Sequence, residues 1–138
     1  MKAVLDTNVL ISGVISTGVP HDVLVAGLRG DYQLVVSVAT LTEFRETLLK
    51  YPEKFHMSEA DIQKEVETIR YFAEFVAPEE EITAVEDDPD DDKFLEMAVA
   101  GNVDYLVSGD SHLLDLGSFR GFDIVDPRTF YEYLEIGE

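Results

Sequence analysis

The sequence predicts an α/β fold, a three-layer sandwich with helices on both faces of a central parallel sheet. Short apolar runs bounded by turn formers alternate with helical stretches along the whole chain. The runs end in polar residues, Asp6 after the first and Asp110 after the fourth, as strands do when they feed a helix across a short turn. No internal repeat, low-complexity tract or linker interrupts the 138 residues, so a single domain over 1–138 is expected.

Ala3-Val4-Leu5 is the first strand, stopped by Asp6-Thr7-Asn8. Val9 to Ile15 resumes as an apolar helix, and Gly18 and Pro20 break it. Pro20 to Arg29 is a second helix, with Leu24 and Leu28 on one face and Gly30 as its stop. Gln33 to Ser37 is the second strand. Thr40 to Lys50 is a helix with Leu41, Phe44, Leu48 and Leu49 on one stripe, closed by Tyr51-Pro52. Ser58-Glu59-Ala60-Asp61 reads as a capping box opening a long helix whose stripe is Ile62, Val66, Ile69 and Ala73. Phe75-Val76-Ala77 is a short third strand. Phe94 to Ala100 is helical and stops at Gly101-Asn102. Tyr105 to Ser108 is the fourth strand, Phe122 to Val125 the fifth, and Thr129 to Leu134 a last helical turn or two.

Composition narrows the function. Apolar residues make up 46% of the chain, enough for a core despite a net charge of -19. That charge argues against a nonspecific nucleic-acid binder, which needs a basic patch, while leaving room for an enzyme that meets nucleic acid through bound metal. With no cysteine, thiolate metal sites and disulfides are excluded. The opening apolar run breaks at Asp6, too early for a signal peptide or a membrane span, so no membrane association and a cytoplasmic location are expected.

The chemistry centres on Glu86 to Asp92, where six of seven residues are carboxylates and an apolar helical pattern follows at once. Two carboxylates about 5 Å apart at an effective dielectric of about 20 repel by roughly 3 kcal/mol, so such a run must face water or a cation. Three further acids stand at telling places. In a sheet ordered 3-2-1-4-5 the first and fourth strands are neighbours, and the crevice at their carboxyl ends is where ligands bind. Asp6 and Asp110 would share that crevice. Glu43, in the first turn after strand two, leans toward the same rim because helical side chains tilt N-terminally. Asp92 opens the helix that leads into strand four, with Asp91 as its rival. Four converging carboxylates form a hard, all-oxygen site suited to Mg²⁺ or Mn²⁺ and to phosphodiester hydrolysis.

Plainer roles compete for each acid. Asp6 can cap the helix it precedes, Glu43 stands three residues after Thr40 at capping-box spacing, and Asp110 can cap a turn. Asp88-Pro89 reads as an N-cap followed by a first-turn proline, with the remaining acids solvated or drawn to the helix dipole. Asn8 could support Asp6 by hydrogen bonding. His112 reads as plain surface, and His21 and His56 carry no partner pattern.

The chain resembles the PIN-domain nucleases over nearly its whole length, most closely the toxins of toxin–antitoxin systems. The resemblance rests on four stretches in order: Val4-Leu5-Asp6-Thr7-Asn8-Val9-Leu10-Ile11-Ser12; Val36-Ser37 with Leu41-Thr42-Glu43-Phe44; Asp88-Pro89-Asp90-Asp91-Asp92-Lys93-Phe94-Leu95; and Tyr105 to Asp110 with Leu113-Leu114 behind. It implies a parallel sheet in the order 3-2-1-4-5. It also implies a Mg²⁺- or Mn²⁺-dependent endoribonuclease whose four acids are Asp6, Glu43, Asp92 and Asp110. Such toxins form homodimers and are silenced by a cognate antitoxin whose basic residue can enter the acidic cleft. The competing function from another class is a non-catalytic module that captures a basic peptide or a cation in the same cleft. An aspartyl-phosphate phosphohydrolase is disfavoured because the position two residues after Asp6 is Asn8, not an aspartate.

Overall fold

The computed structural model describes residues 1–136. Six strands occur among them: β1 (Lys2–Leu5), β2 (Gln33–Val36), β3 (Glu74–Phe75), β4 (Tyr105–Val107), β5 (Ser118–Phe119) and β6 (Phe122–Val125). They form one sheet in the order β3-β2-β1-β4-β6-β5. Every neighbouring pair is parallel except β5 with β6. The five parallel strands therefore follow the expected order, since the expected fifth strand is β6. The addition is β5, a two-residue edge strand that turns back through Arg120 and Gly121, both at positive φ (43° and 94°). Two left-handed residues in succession give the twist a tight hairpin needs. A strand of two residues leaves no periodicity to read.

The helices are α1 (Thr7–Ile15), α2 (Val19–Arg29), α3 (Val38–Lys50), α4 (Pro52–Phe55), α5 (Glu59–Phe72), α6 (Asp92–Gly101), α7 (Ser111–Leu114) and α8 (Pro127–Ile136). Their ends follow local chemistry. Gly30 closes α2 in the left-handed region at φ 94°. Ser58 and Asp61 form the expected capping box of α5. In α3 the cap is Ser37, which accepts from the Thr40 amide, so the helix begins two residues earlier than expected and Thr40 takes the third helical position. Glu43 therefore has no part in the cap. The short helix α4, begun by Pro52, extends the chain beyond the expected stop at Tyr51. The third strand falls at Glu74–Phe75 rather than at 75–77.

Both faces of the sheet are buried, which explains the near-continuous apolar strands. Ala3, Leu5, Leu34 and Val36 pack on one face with Leu10, Phe44, Leu48, Ile69 and Phe130. Val4, Val35 and Leu106 pack on the other with Leu95, Met97 and Leu113. Each fully buried Leu or Phe contributes about 1.5–3 kcal/mol relative to exposure. The register aligns Leu5 with Val107, and the Asp6 amide donates to the Val107 carbonyl at 3.0 Å. The first polar residues beyond these two strands, Asp6 and Ser108, thus emerge at one level on the carboxyl rim.

Candidate metal centre

Asp6 caps α1. Its Oδ1 accepts from the Val9 amide at 2.9 Å, and its Oδ2 accepts from the Ser108 hydroxyl. The same Ser108 Oγ accepts from the Asp110 amide at 2.9 Å, so a fully buried serine joins the two acids of the neighbouring strands. Asp110 caps α7 in turn, its Oδ1 accepting from the His112 amide at 2.8 Å. Capping and pocket lining are therefore compatible for both aspartates. Each spends part of its acceptor capacity on a helix and keeps its carboxylate at the rim.

The acid run folds as a single 3₁₀ turn over Pro89–Asp91, after which Asp92 starts α6. Asp88 stands at the cap position without a side-chain cap bond, which leaves its carboxylate to the pocket. The turn sends the next two aspartates to different sides. Asp91 joins the pocket. Asp92 turns away from it, and its Oδ1 accepts from the Ala84 amide at 3.0 Å and the Val85 amide at 2.8 Å. The expectation that Asp92 enters the pocket is thus corrected: the aspartate that lines it is Asp91. Asp92 is occupied in pinning the segment before the acid run, whose buried Ile82 and Val85 complete the second core.

The resulting cavity, of about 240 Å³, is lined by Asp6, Glu43, Asp88, Asp90, Asp91 and Asp110, with Thr7, Asn8, Thr47 and Phe94. Of the expected acids, Asp6, Glu43 and Asp110 line this pocket. One ligand atom each from Asp88, Asp91, Asp110 and His112 lies within 4.8 Å of the others. Sequence reasoning missed Asp88 and His112 as members. The readable signal for His112 was its position two residues after Asp110, where the cap folds it back toward the acid. Its Nδ1 lies 3.6 Å from Asp110 Oδ1.

Glu43 sits between two donors, the Thr7 hydroxyl and the Lys93 ammonium. Lys93 also reaches Asp90 at 3.1 Å. Burial disfavours the Lys93 charge, but Glu43 and Asp90 more than offset this and hold it above its ordinary range. Arg45, two residues after Glu43, lies instead beside Leu49, Glu59 and Gln63, away from the pocket.

The electrostatics of the pocket follow from burial and crowded acids. Burial pushes the Asp6 carboxyl up, against hydrogen bonds from Ser108 and Val9, and the charges of Asp110 and Glu43 push it further. Asp91 is pushed up to about 7, by burial first, then by the charges of Asp110 and Asp88, with a hydrogen bond to Asp110 and the charge of Asp6 adding to it. Its Oδ2 is buried with no hydrogen-bond partner. Like charges 4.8 Å apart repel by about 3 kcal/mol at an effective dielectric of about 20. A hard divalent cation would accept the orphaned oxygen and cancel that repulsion, and the oxygen-rich donor set fits Mg²⁺ or Mn²⁺.

A parallel α/β sheet with acids gathered at its switch point defines a class of metal-binding phosphoryl-chemistry domains. Residues 2–112 match the family model of the PIN domain, and the chain belongs to that family. The match takes in every acid of the pocket and ends at His112. The PIN domain is a nuclease fold whose members typically depend on divalent metal. No curated protein matches the chain. No single helix among the described residues is long and apolar enough to cross a membrane.

Proposed function

We propose that this chain is a Mg²⁺- or Mn²⁺-dependent endoribonuclease that hydrolyses RNA phosphodiester bonds. We place it in the cytoplasm as the toxin of a toxin–antitoxin pair. The observation that carries the enzymatic reading is Asp91: a buried carboxylate oxygen without a partner, facing Asp110 and Asp88 in an acid-lined pocket. Asp88, Asp91 and Asp110 would hold the metal with His112 beside them, and Asp6 would face it from the pocket wall.

When bound, the cation supplies charge neutralisation and Lewis-acid polarisation of the scissile phosphate. The chain's own residues do the rest. Asp6 is held in orientation by Ser108 and by the α1 amide, so its carboxylate needs no rearrangement when substrate arrives. Glu43, steadied by Thr7 and Lys93, positions the attacking water and can accept its proton. The water oxygen bonds to phosphorus, the P–O bond to the departing ribose oxygen breaks, and that oxygen takes a proton from solvent. Lys93, beside the pocket, and Asn8, which lines it, can donate hydrogen bonds to phosphate oxygens.

The toxin role draws on the closeness of the four sequence stretches to toxin members, and it carries with it a homodimer and a cognate antitoxin. A pocket lined by six carboxylates is complementary to a basic side chain of such an antitoxin.

The test is cleavage of a mixed RNA pool by purified protein with Mn²⁺ or Mg²⁺, against EDTA and against Asp6→Asn and Asp91→Asn. Metal-dependent cleavage lost in both variants is expected. Absence of cleavage by the unaltered protein across low and high salt would shift the reading to a non-catalytic cleft. Growth arrest on induction, absent with Asp91→Asn, tests the toxin role.

A further inference from the structure

We infer that Lys50, Tyr51 and Lys54 form a binding subsite for single-stranded RNA, leading out of the acidic pocket along α3. This rests on the ribonuclease reading and names where the strand runs. The face of α3 that lines the pocket carries Glu43 and Thr47. Residues three and four apart share a helical face, so Lys50 continues that line at the end of the helix, where Tyr51 caps it. At about 1.5 Å rise per residue, Lys50 lies about 10 Å along the axis from Glu43, the span of about three stacked nucleotides.

The cluster has the two properties a nucleotide needs. Tyr51 is 46% exposed and offers an aromatic face. The Lys50 and Lys54 ammoniums lie 5.5 Å and 5.8 Å from its ring centroid. Phe55 meets the same ring edge-on and steadies it. The ammoniums lie over the ring; a nucleotide presents a flat base beside an anionic phosphate, so its phosphate draws the ammoniums off the ring and its base takes their place on that face. Among the described residues neither lysine is held in an ion pair, whereas Lys2, Lys93, Arg29 and Arg120 all are.

The charge setting sharpens the argument. On a chain of net charge -19, a polyanion is repelled from most of the surface. Residues 45–56 run against that background, with three cations and two acids. An RNA strand approaching the pocket meets favourable charge along this end of α3 and in α4, and its bases meet Tyr51 there. An acidic peptide would value the lysines but has no use for the stacking face.

The experiment is fluorescence anisotropy of a short unstructured labelled RNA, in EDTA so that metal-dependent cleavage is silent. The proteins are the unaltered chain, Lys50→Gln/Lys54→Gln, Tyr51→Ala, and Lys64→Gln as a charge control on α5. The expected result is a loss of about tenfold in affinity for the double variant, with a salt slope shallower by about 1.4. Tyr51→Ala should lose about tenfold with an unchanged slope, and Lys64→Gln should stay within about twofold. Equal affinity in all four proteins would overturn the subsite while leaving the nuclease reading intact. Binding of polyglutamate as tight as that of RNA, indifferent to Tyr51→Ala, would overturn it in favour of an acidic protein partner. No RNA binding by the unaltered chain would overturn it, and the cleavage assay then decides separately whether the nuclease reading falls too.

Discussion

Asp91 and Asp92 are consecutive, and their carboxylates serve different parts of the molecule. Asp91 turns into the acidic pocket with its Oδ2 buried and unpartnered. Asp92 accepts the Ala84 and Val85 amides and holds that segment against the second core. Their substitutions should therefore separate function from folding. Asp92→Ala strands two amides and should cost about 2–3 kcal/mol in urea unfolding. Asp91→Ala should abolish metal binding by isothermal titration and leave the fold intact. Equal loss of metal affinity in both variants at matched folding would contradict this division.

The Asp91 carboxyl also makes stability depend on pH. It is raised to about 7, by burial and then by Asp110 and Asp88. Between the ordinary carboxylate value near 4 and about 7, the folded chain holds a proton that the unfolded chain releases. The metal-free protein therefore loses stability as pH rises through that window, by about 1–2 kcal/mol after solvent screening at the open pocket. Asp91→Asn should flatten the profile and be the more stable protein at pH 8. Saturating Mg²⁺ should flatten it for the unaltered chain, because a cation replaces the proton. Melting temperatures across pH, with and without metal, report all three.

Ser108 is the link between Asp6 and Asp110, donating to one and accepting from the amide of the other. Ser108→Ala leaves the Asp110 amide without its acceptor and Asp6 without one of the two bonds that oppose its raised pKa. Stability should fall by about 1–2 kcal/mol. The pH profile of cleavage should move upward, since Asp6 then ionises at higher pH. A profile unmoved by Ser108→Ala would show that Asp6 ionisation does not govern the rate.

Gly101 sits where α6 crosses β2, and a Cβ there would meet Val35 Cγ1 at 2.9 Å. Gly101→Ala should destabilise the protein by about 1–3 kcal/mol through overpacking. Asp91 stands at the N-terminal end of the same helix, so metal affinity should drop along with stability. Restoring space with Val35→Ala in the Gly101→Ala background should recover part of both, read by urea denaturation and calorimetric titration.

Lys93 is the cation that steadies Glu43 and Asp90. Lys93→Met removes a charge the acids need when no metal is present. Cleavage should fall by about tenfold or more, while affinity for Mg²⁺ rises because the pocket becomes more negative. A fall in both quantities would assign Lys93 to metal-site architecture instead.

By itself the sequence determined the sheet class and the stretches that line its rim, with Asp6, Glu43 and Asp110 among them, while the order of the parallel strands came from the resemblance to the PIN domain. Those features follow from short-range causes. Apolar runs of three or four residues that end in Asp or Ser suit the strands of a doubly covered sheet, and each following helix starts at the cap those residues supply. Only the tertiary structure decided which member of the Asp90-Asp91-Asp92 run enters the pocket. Neighbouring aspartates have nearly the same propensity and the same local pattern. What separates them is the 3₁₀ turn and a competing set of amides at Ala84 and Val85, contributed by a segment with no periodic signal of its own. His112 and Asp88 escaped for the same reason. Their membership depends on where other elements bring Asp110 and Asp91 in space, and that distance is set by packing across the sheet rather than by spacing along the chain.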